Sequence, residues 1–368
     1  MTRPDDQRWM ALALSLGRRG LGQVWPNPAV GCVIVKDGRL LARGWTQAGG
    51  RPHAEQVALS QLPQDAARGA TAYVTLEPCS HTGQTPPCAS ALIDAGLGRV
   101  VVATGDPDPR VSGRGFDMLR NAGIEVLNGV LQAEARQDQR GFLTRVTQGR
   151  PLLTLKLASS FDGRIATAMG ESQWITGPQA RQQVQALRAS HDAVMVGGRT
   201  AREDFPALTL RGMGDRRQPV RVVVSAGLDI PTRGPLAEDD SGAPVWLIHG
   251  KAAPQSARAF WVARGATLIE VAAGPAGLNM IEALQALGQA GLTRVLCEGG
   301  GSLAASLLSA GMVDQVAGFT AGVMLGATGL PSLGPLSYAT LADAPRFELV
   351  ETRRIGEDVM HLWRRVGD

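Results

Sequence analysis

Short apolar runs alternate with amphipathic stretches along most of the chain, and this alternation limits the folds that it can adopt. Apolar runs of a few residues predict buried strands, and helical spacing of apolar residues predicts helices between them. The predicted strands are 29–35, 40–45, 70–76, 99–104, 152–158, 193–197, 220–225, 245–249, 294–297 and 313–320. The predicted helices are 8–19, 54–62, 88–95, 115–122, 179–189, 280–290 and 302–309. Strands that alternate with helices indicate an α/β fold with a partly parallel sheet.

A polar, Gln/Arg-rich stretch at about 134–150 separates two such alternating series. It predicts a helix followed by a short linker that ends at Pro151. The 368 residues suit two domains, because one domain usually holds about 100 to 200 residues. We therefore expect an N-terminal domain at 1–149 and a C-terminal domain at 150–368, without an internal repeat that would relate them. Within the second domain, the Pro-, Gly- and Asp-rich stretch 231–243 predicts a surface loop.

The composition argues against several classes of protein. With 44% hydrophobic residues the chain can form ordered cores, and no apolar run approaches the roughly 18 residues that a membrane span needs. The first twenty residues include acidic side chains and lack the apolar stretch of a secretory signal. We therefore expect a cytoplasmic protein with no membrane partner.

The charge and the cysteines lead to two further expectations. A net charge of +4, no basic run and only 4% aromatic residues argue against a nucleic-acid partner, while a phosphorylated small molecule would suit the mild positive charge. Four cysteines in a chain of this length do not form a disulfide framework. Cys32 and Cys297 lie inside apolar runs, so we expect both in the core.

The other two cysteines and a histidine stand at the ends of predicted elements in the first domain. His53 precedes the helix 54–62, Cys79 follows the strand 70–76, and Cys88 opens the helix 88–95. An imidazole nitrogen and two thiolates are ligands that zinc prefers. Three protein ligands leave a fourth position for water, which is typical of a catalytic site. We therefore expect a catalytic Zn²⁺ site.

Glu55 lies two residues after His53 and is not needed as a ligand. We expect it to take the proton from zinc-bound water and to return it to a leaving amine. A His-x-Glu pair followed by Pro-Cys and a second cysteine is typical of zinc nucleobase deaminases. Here eight residues separate the two cysteines, which is longer than the usual spacing of that motif.

Other interpretations of these residues remain open at this point. They could be scattered polar residues in loops. They could also form a structural zinc site with His81 or Cys32 as the fourth ligand, in which case Glu55 would have no role. A nucleic-acid-editing deaminase with an accessory domain would share the zinc site but would need a basic, aromatic-rich groove.

Two further features could contact a substrate or cofactor. Asn27 lies between two prolines before the first strand, where its amide could bind a pyrimidine edge or simply stabilise a turn. In the second domain, the strand 294–297 leads into three glycines at 299–301 and then into a helix. Glycines allow the backbone to approach a phosphate at a helix N-terminus, although a plain tight turn would use the same residues.

The chain resembles the RibD family of riboflavin-biosynthesis enzymes, in which a pyrimidine deaminase is fused to a reductase. In the first domain the resemblance rests on the segments PNPAVGCVIV at 26–35, PHAE at 52–55, TLEPCSH at 75–81 and TPPC at 85–88. In the second domain it rests on LKL at 155–157, DGR at 162–164, GESQWIT at 170–176 and EGG at 298–300. The long spacing between Cys79 and Cys88 is what this family shows.

The resemblance implies a cytidine-deaminase-like α/β/α domain followed by a dihydrofolate-reductase-like α/β domain. It also implies two reactions. In the first, zinc hydroxide deaminates 2,5-diamino-6-(5-phosphoribosylamino)pyrimidin-4(3H)-one. In the second, NADPH reduces 5-amino-6-(5-phosphoribosylamino)uracil to the ribitylamino form. A homo-oligomer is implied as well.

The resemblance assigns cofactor and substrate contacts in the second domain. The residues that would contact NADPH are Ala158, Trp174, Thr200, Asp204, Gly300, Gly301, Ser302, Leu303, Ala304, Ala305 and Ser306. The residues that would contact the substrate are Ser172, Arg188, Leu208, Arg211 and Glu298, to which we add Lys156 on the first strand. Arginines can bind a ribose phosphate through two hydrogen bonds. Alternatively, Trp174 would be a core residue, Arg188 a solvated cation, and Lys156 a strand residue whose stem covers apolar surface.

The chain departs from the family pattern at three positions. Phe205 stands where the family often has a second aspartate, and Gln84 replaces a usual arginine that could contact phosphate. Phe161 replaces a leucine, a swap that we expect to be tolerated. The change at Phe205 is therefore also compatible with a protein that keeps the deaminase activity and lacks reductase activity.

Overall fold

The computed structural model describes residues 5–81, 86–238, 241–274 and 277–367. The chain forms two compact units, Met1–Gly149 and Arg150–Asp368. The division falls where the sequence places the linker. Each unit is built around its own mixed sheet.

The first unit is a five-stranded sheet with helices on both faces. Its strands are β1 (Gly31–Lys36), β2 (Arg39–Trp45), β3 (Thr71–Val74), β4 (Arg99–Val102) and β5 (Glu125–Asn128). Its helices are α1 (Asp6–Gly17), α2 (Ala54–Leu59), α3 (Cys88–Asp94), α4 (Arg114–Asn121) and α5 (Gln132–Gln148). The strand order is β2-β1-β3-β4-β5, antiparallel around β1 and parallel from β3 to β5.

Successive side chains of each strand point to opposite faces of this sheet, so each face has its own hydrophobic core. Cys32 and Ile34 of β1 face one way and pack with residues of α2, α3 and α4. Val33 and Val35 face the other way and pack with α1 and α5. The helices that begin next to the predicted metal ligands, α2 and α3, therefore lie on the same face of the sheet.

The second unit is larger. Its strands are β6 (Leu152–Ser160), β7 (Arg164–Ala166), β8 (Ala193–Gly197), β9 (Val220–Val224), β10 (Val245–Gly250), β11 (Thr267–Val271), β12 (Ala273–Gly274), β13 (Gly277–Leu278), β14 (Arg294–Cys297), β15 (Gln315–Ala321), β16 (Leu330–Pro331), β17 (Phe347–Ile355) and β18 (Asp358–Arg365). Its helices are α6 (Pro178–Ala189), α7 (Gly198–Asp204), α8 (Pro235–Glu238), α9 (Gln255–Val262), α10 (Met280–Gln289) and α11 (Gly301–Ser309).

Nine of these strands form one sheet in the order β11-β10-β9-β8-β14-β6-β15-β18-β17. The pairs from β11 to β15 are parallel, and β17 and β18 add an antiparallel edge. Helix α6 packs Ala180 against Phe319 of β15 and Met360 of β18. Helices α7 and α9 pack on β8, β9 and β10. The chain is thus an α/β protein in both units, as the sequence predicts.

Several elements differ from the sequence prediction. The hairpin of β17 and β18 was not predicted, because β17 carries four charged residues and most of its side chains are exposed. The predicted loop 231–243 contains the one-turn helix α8. The predicted strand 70–76 is shorter in the structure, since it forms ladder pairs only over Thr71–Val74. No helix among the described residues is long and apolar enough to cross a membrane.

Candidate functional site

The first unit brings His53, Cys79 and Cys88 together. Their ligand atoms all lie within 4.8 Å of one another. The Nδ1 atom of His53 is 3.3 Å from the sulfur of Cys88 and 3.7 Å from that of Cys79. His53 is the N-cap of α2, and Cys88 is the first residue of α3. The starts of two helices therefore direct two of the three side chains to one point, and the segment after β3 supplies the third.

The surroundings of the two cysteine sulfurs favour the thiolate form at Cys79, which is the form that binds a cation. The Cys88 backbone N–H donates to the Cys79 sulfur at 3.3 Å. A hydrogen bond from the Cys88 thiol, helped by His53, lowers the pKa of Cys79 to about 4. The same thiol–thiolate contact, together with burial, raises the pKa of Cys88. The two sulfurs thus lie in hydrogen-bond contact, and a divalent cation bound between them would displace the proton of that contact. The nitrogen and sulfur donors fit zinc.

Glu55 lies beside this cluster and is 3% exposed. Burial raises the pKa of its carboxyl, and the negative charge on Cys79 raises it further. The carboxyl group also interacts with the Cys88 thiol. A buried carboxyl with a raised pKa next to a metal site can accept and release a proton during a reaction.

The geometry does not support His81 or Cys32 as a fourth metal ligand. Among the described residues, the set that meets the ligand distances consists of His53, Cys79 and Cys88. Cys32 is fully buried in β1, where burial raises the pKa of its thiol. Cys297 is equally buried in β14, as the sequence predicts for both residues. Gln84 lies outside the described residues.

Asn27 precedes β1 and contacts the segment that leads to His53. Its Nδ2 donates to the carbonyl oxygen of Gly50 at 3.1 Å. Gly50 has a φ of 86°, and a Cβ there would lie 2.0 Å from the Asn27 amide nitrogen. A glycine is therefore required for this close contact. The contact fixes Asn27 to the turn that continues into Arg51, Pro52 and His53.

In the second unit, Glu298 at the end of β14 faces Arg188 of α6. The Arg188 Nε donates to Glu298 Oε1 at 2.5 Å and its Nη2 to Oε2 at 3.0 Å. Both side chains are about one-tenth exposed. Burial opposes ionisation of Glu298, but Arg188, together with Lys156, holds the pKa of that carboxyl below its usual value. Burial lowers the pKa of Lys156, while Glu298 opposes this shift.

These three predicted substrate residues therefore form one charged cluster. Lys156 lies on β6, two residues before Ala158, so both side chains are on the face that α6 covers. The Arg188 Nη1 also donates to the carbonyl oxygen of Thr209 at 3.0 Å. The Arg211 backbone N–H donates to Gln185 of α6 at 3.1 Å. The segment with buried Leu208 and exposed Arg211 thus lies along the same helix.

The glycine-rich turn after β14 approaches the start of α7. A Cβ on Gly299 would lie 2.5 Å from the Val196 Cα, and one on Gly300 would lie 3.1 Å from the Thr200 hydroxyl. Gly300 also has a φ of 61°. The turn therefore brings Thr200 next to Gly300, which directly precedes Gly301 and Ser302 at the start of α11. This is an arrangement in which backbone N–H groups can bind phosphate.

The remaining residues that were predicted to contact the cofactor or the substrate differ in how far they are exposed to solvent. Leu303, Ala304 and Ala305 are buried inside the unit, and the Ser306 hydroxyl donates to the Ser302 carbonyl at 3.0 Å. Trp174 is 67% exposed with the Arg181 guanidinium over its ring at 4.6 Å, so it is not a core residue. Asp204 is exposed and Ser172 is half-buried. Within the described ranges, neither Trp174 nor Ser172 forms a hydrogen bond or an ion pair with the Glu298 cluster.

His191 was not singled out in the sequence, yet it is buried beside this cluster. Its Nδ1 is 2.7 Å from the Leu187 carbonyl oxygen and its Nε2 is 2.9 Å from the Thr154 hydroxyl. Burial lowers the pKa of His191 to about 4, so it is neutral at pH 7. It links the end of α6, which carries Arg188, to β6, which carries Lys156. A histidine at the end of a predicted helix is too common a feature to indicate this role.

Comparisons with known proteins match a family to each unit. Residues 3–104 match the family described as the cytidine and deoxycytidylate deaminase zinc-binding region. Residues 151–361 match the family described as the RibD C-terminal domain. The first match contains His53, Cys79 and Cys88, and the second contains Lys156, Arg188 and Glu298.

Whole-length relatives give the same assignment. The chain is 42% identical to the riboflavin biosynthesis protein RibD of Escherichia coli, over 97% of this chain and 99% of the relative. It is 38% identical to RibD of Aquifex aeolicus, over 99% of this chain and 100% of the relative. The solved structure of Acinetobacter baumannii RibD, form 2, aligns with a TM-score of 0.87 at 37% identity, covering 98% of this chain and 99% of that one.

A second solved structure is named for two activities. The diaminohydroxyphosphoribosylaminopyrimidine deaminase/5-amino-6-(5-phosphoribosylamino)uracil reductase of Thermotoga maritima aligns with a TM-score of 0.84 at 35% identity, covering 98% of each chain. Identity at this level over nearly the whole length, together with the two matched domains, shows the family. The chain therefore belongs to the RibD family of riboflavin biosynthesis proteins.

Proposed function

We propose that the chain deaminates 2,5-diamino-6-(5-phosphoribosylamino)pyrimidin-4(3H)-one in its first unit and reduces the resulting 5-amino-6-(5-phosphoribosylamino)uracil with NADPH in its second. The observation that carries the proposal is the buried Glu55 beside three converging zinc donors. The names of the whole-length relatives support the substrates.

The residues of the first unit can carry out the deamination. His53, Cys79 and Cys88 would hold zinc, which supplies a Lewis acid and lowers the pKa of water at its open position. Glu55 takes up a proton as water attacks the amine-bearing carbon of the pyrimidine. It then gives that proton to the departing ammonia, so that its own charge is restored at the end of the cycle. The contact between Asn27 and Gly50 holds an amide next to the same segment, where it can bind the pyrimidine edge.

The residues of the second unit suit a phosphosugar and a dinucleotide. NADPH would supply the hydride that reduces C1 of the opened ribosyl group. The turn at Gly300 and the adjacent Thr200 would bind its phosphates. Lys156, Arg188 and Glu298 would bind the sugar, because a buried charged cluster can hydrogen-bond hydroxyl groups that water cannot reach.

We also propose that the protein acts in the cytoplasm as a homo-oligomer. Leu349 and Val359 on the β17–β18 edge are about half exposed, and such apolar surface is commonly covered by a second copy of a chain. Neither a nucleic acid nor a membrane is needed as a partner.

Substitution of Glu55 tests the proposed deamination. Glu55→Gln removes the proton carrier and keeps the side-chain shape, so we expect zinc to stay bound while deamination falls by a factor of about 100 to 10,000. Reduction of the supplied uracil intermediate should be unchanged. Glu134→Gln, an exposed carboxylate of α5, is the matched control and should keep both activities. Loss of zinc together with activity would show that Glu55 supports the metal site instead.

A second candidate function keeps the deaminase and lacks the reductase. Phe205, exposed at the end of α7 next to Asp204, is the observation that favours it. Turnover of NADPH by the purified protein on the uracil intermediate distinguishes the two functions.

A further inference from the structure

Glu77 lies two residues before the metal ligand Cys79 and is 4% exposed. Its carboxylate accepts three backbone hydrogen bonds from one loop, which we call the 105–115 loop. The Asp106 N–H donates at 3.3 Å, the Gly113 N–H at 3.2 Å and the Gly115 N–H at 3.0 Å. Among the described residues, this buried carboxylate accepts its hydrogen bonds from backbone N–H groups, and none of these donors is a cation.

The 105–115 loop also holds the chain on the other side of Cys79. The Ser80 hydroxyl donates to the Arg110 carbonyl oxygen at 3.3 Å. A Cβ on Gly115 would lie 2.1 Å from the Pro78 carbonyl oxygen, so the two backbones approach as closely as a glycine permits. The residues immediately before and after Cys79 are therefore both fixed to the same loop.

The loop is itself held in one shape. The Asp108 N–H donates to the Asp106 carboxylate at 2.9 Å, and the Arg110 N–H donates to the Asp108 carboxylate at 2.9 Å. Prolines at 107 and 109 restrict the backbone between these bonds. The last two residues of the loop, Arg114 and Gly115, are the first residues of α4, whose Phe116 and Leu119 pack in the core of the first unit.

From this geometry we propose that Glu77 is a positioning residue of the metal centre, which fixes the Cys79 sulfur through the 105–115 loop. His53 and Cys88 are oriented by the helices that they begin, whereas Cys79 follows β3 on a segment without a helix of its own. Glu77 supplies the rigidity that this segment lacks. Partners that orient a metal ligand commonly change metal affinity by a factor of about 10 to 100 when they are replaced.

The inference rests on the proposed zinc site, so the test begins with the zinc dissociation constant of the wild-type full-length protein, measured by chelator competition. In Glu77→Gln one carboxylate oxygen becomes an NH₂ group that faces N–H donors and cannot accept from them. We expect this variant to bind zinc about 10 to 100 times more weakly than the wild type. We also expect the cobalt-substituted variant to show altered absorption bands from its thiolate ligands, because the Cys79 sulfur is displaced.

A control separates positioning from general stability. Asp6 is a fully buried carboxylate of the same unit that pairs with Arg99, away from the metal ligands. Asp6→Asn should lower the melting temperature while leaving the zinc dissociation constant and the cobalt spectrum as in the wild type. Equal weakening of zinc binding in Asp6→Asn and Glu77→Gln would overturn the proposal, since stability alone would then explain it.

The remaining outcomes are also decisive. Wild-type zinc affinity and cobalt spectrum in Glu77→Gln would overturn the positioning role while leaving the proposed function intact. If Glu77→Gln does not fold, Glu77→Asp is measured in its place, because its shorter carboxylate cannot reach all three donors, and the same results apply to it. Failure of the wild-type protein to bind zinc would instead refute the proposed function.

Discussion

Arg188 and Glu298 form a buried two-point ion pair across 110 residues of sequence, with one guanidinium donor to each carboxylate oxygen. The pair joins helix α6 to the end of strand β14, and Lys156 lies close enough to influence its charge. Removing one partner of a buried pair leaves the other charge without compensation, so we expect the second unit to be sensitive to substitution of either residue.

We predict that Glu298→Gln lowers the kcat/KM of the reduction by a factor of about 100. The neutral amide keeps the shape of the side chain but leaves Arg188 and Lys156 without a negative partner, at a cost of about 3 kcal/mol. Steady-state kinetics on the supplied uracil intermediate measure the effect, and deamination should not change. Glu270→Gln, which breaks an exposed pair with Arg258, is the control. Full reductase activity in Glu298→Gln would show that the cluster of Lys156, Arg188 and Glu298 is not part of the substrate site.

Cysteine substitutions should separate the metal site from the core. Cys88→Ala removes a ligand, so the purified protein should lose nearly all bound zinc and all deamination. Cys32→Ala changes an equally buried cysteine of the same unit that is outside the ligand set, and it should keep its zinc. Metal analysis of the two purified variants makes the comparison. Retention of one zinc per chain by Cys88→Ala would contradict the assigned ligands.

The stability of the first unit should depend on pH through Asp106. Burial, followed by the neighbouring carboxylates Asp108 and Glu77, raises the pKa of Asp106 to about 6. This pKa is higher in the folded than in the unfolded state. The contribution of Asp106 to the free energy of unfolding is therefore most favourable below about pH 4 and is lost as the pH rises through about 6. Asp106→Asn removes the charge, so it should raise the free energy of unfolding by about 2 kcal/mol at pH 7.5.

Denaturant unfolding of the zinc-loaded protein at pH 7.5 and pH 5.0 tests this dependence. The gain in Asp106→Asn should be smaller at the lower pH, where the folded wild-type protein already carries the proton. Asp117→Asn, an exposed carboxylate of α4, should have little effect at either pH. A gain of the same size at both values would mean that the charge of Asp106 is not its cause.

Phe205 provides a test of whether the second unit is an active reductase. Its aromatic ring is exposed, and its backbone is left-handed. Its φ is 45° at the end of α7, a conformation that aspartate adopts more readily than phenylalanine. We expect Phe205→Asp to raise the free energy of unfolding by about 0.5–1 kcal/mol. NADPH turnover should change by less than about twofold if the wild-type reductase is active. A large increase would favour the deaminase that lacks reductase activity.

The sequence predicted those parts of the protein that depend on local pattern. Apolar runs located most strands of the two sheets, with errors of a few residues at their ends, since an end depends on the pairing partner. The edge strands β5 and β11 and the helix α9 were not predicted. The candidate metal ligands could be selected from the sequence because two of them occur where a helix begins, a position that a sequence reveals. The edge hairpin of β17 and β18 was missed because its exposed, charged strands lack an apolar run.

Contacts between distant segments could not be predicted in the same way. Glu77 could be recognised only as part of a motif, because its partners are backbone N–H groups about thirty to forty residues away. The pairing of Arg188 with Glu298 depends on the order of strands in the larger sheet, which places β14 beside β8 and β6. The close approach of Gly300 to Thr200 follows from that same strand order.

The proposed function places two successive activities on one chain. Mass spectrometry of the products formed from the diaminopyrimidine ribotide by the zinc-loaded wild-type protein, with and without NADPH, tests it most directly. We predict the deaminated ribosyl compound without NADPH and the deaminated, reduced ribityl compound with it. A deaminated product that NADPH leaves unchanged would contradict the reductase half of the claim. An unchanged substrate in both samples, with zinc bound, would contradict the claim as a whole.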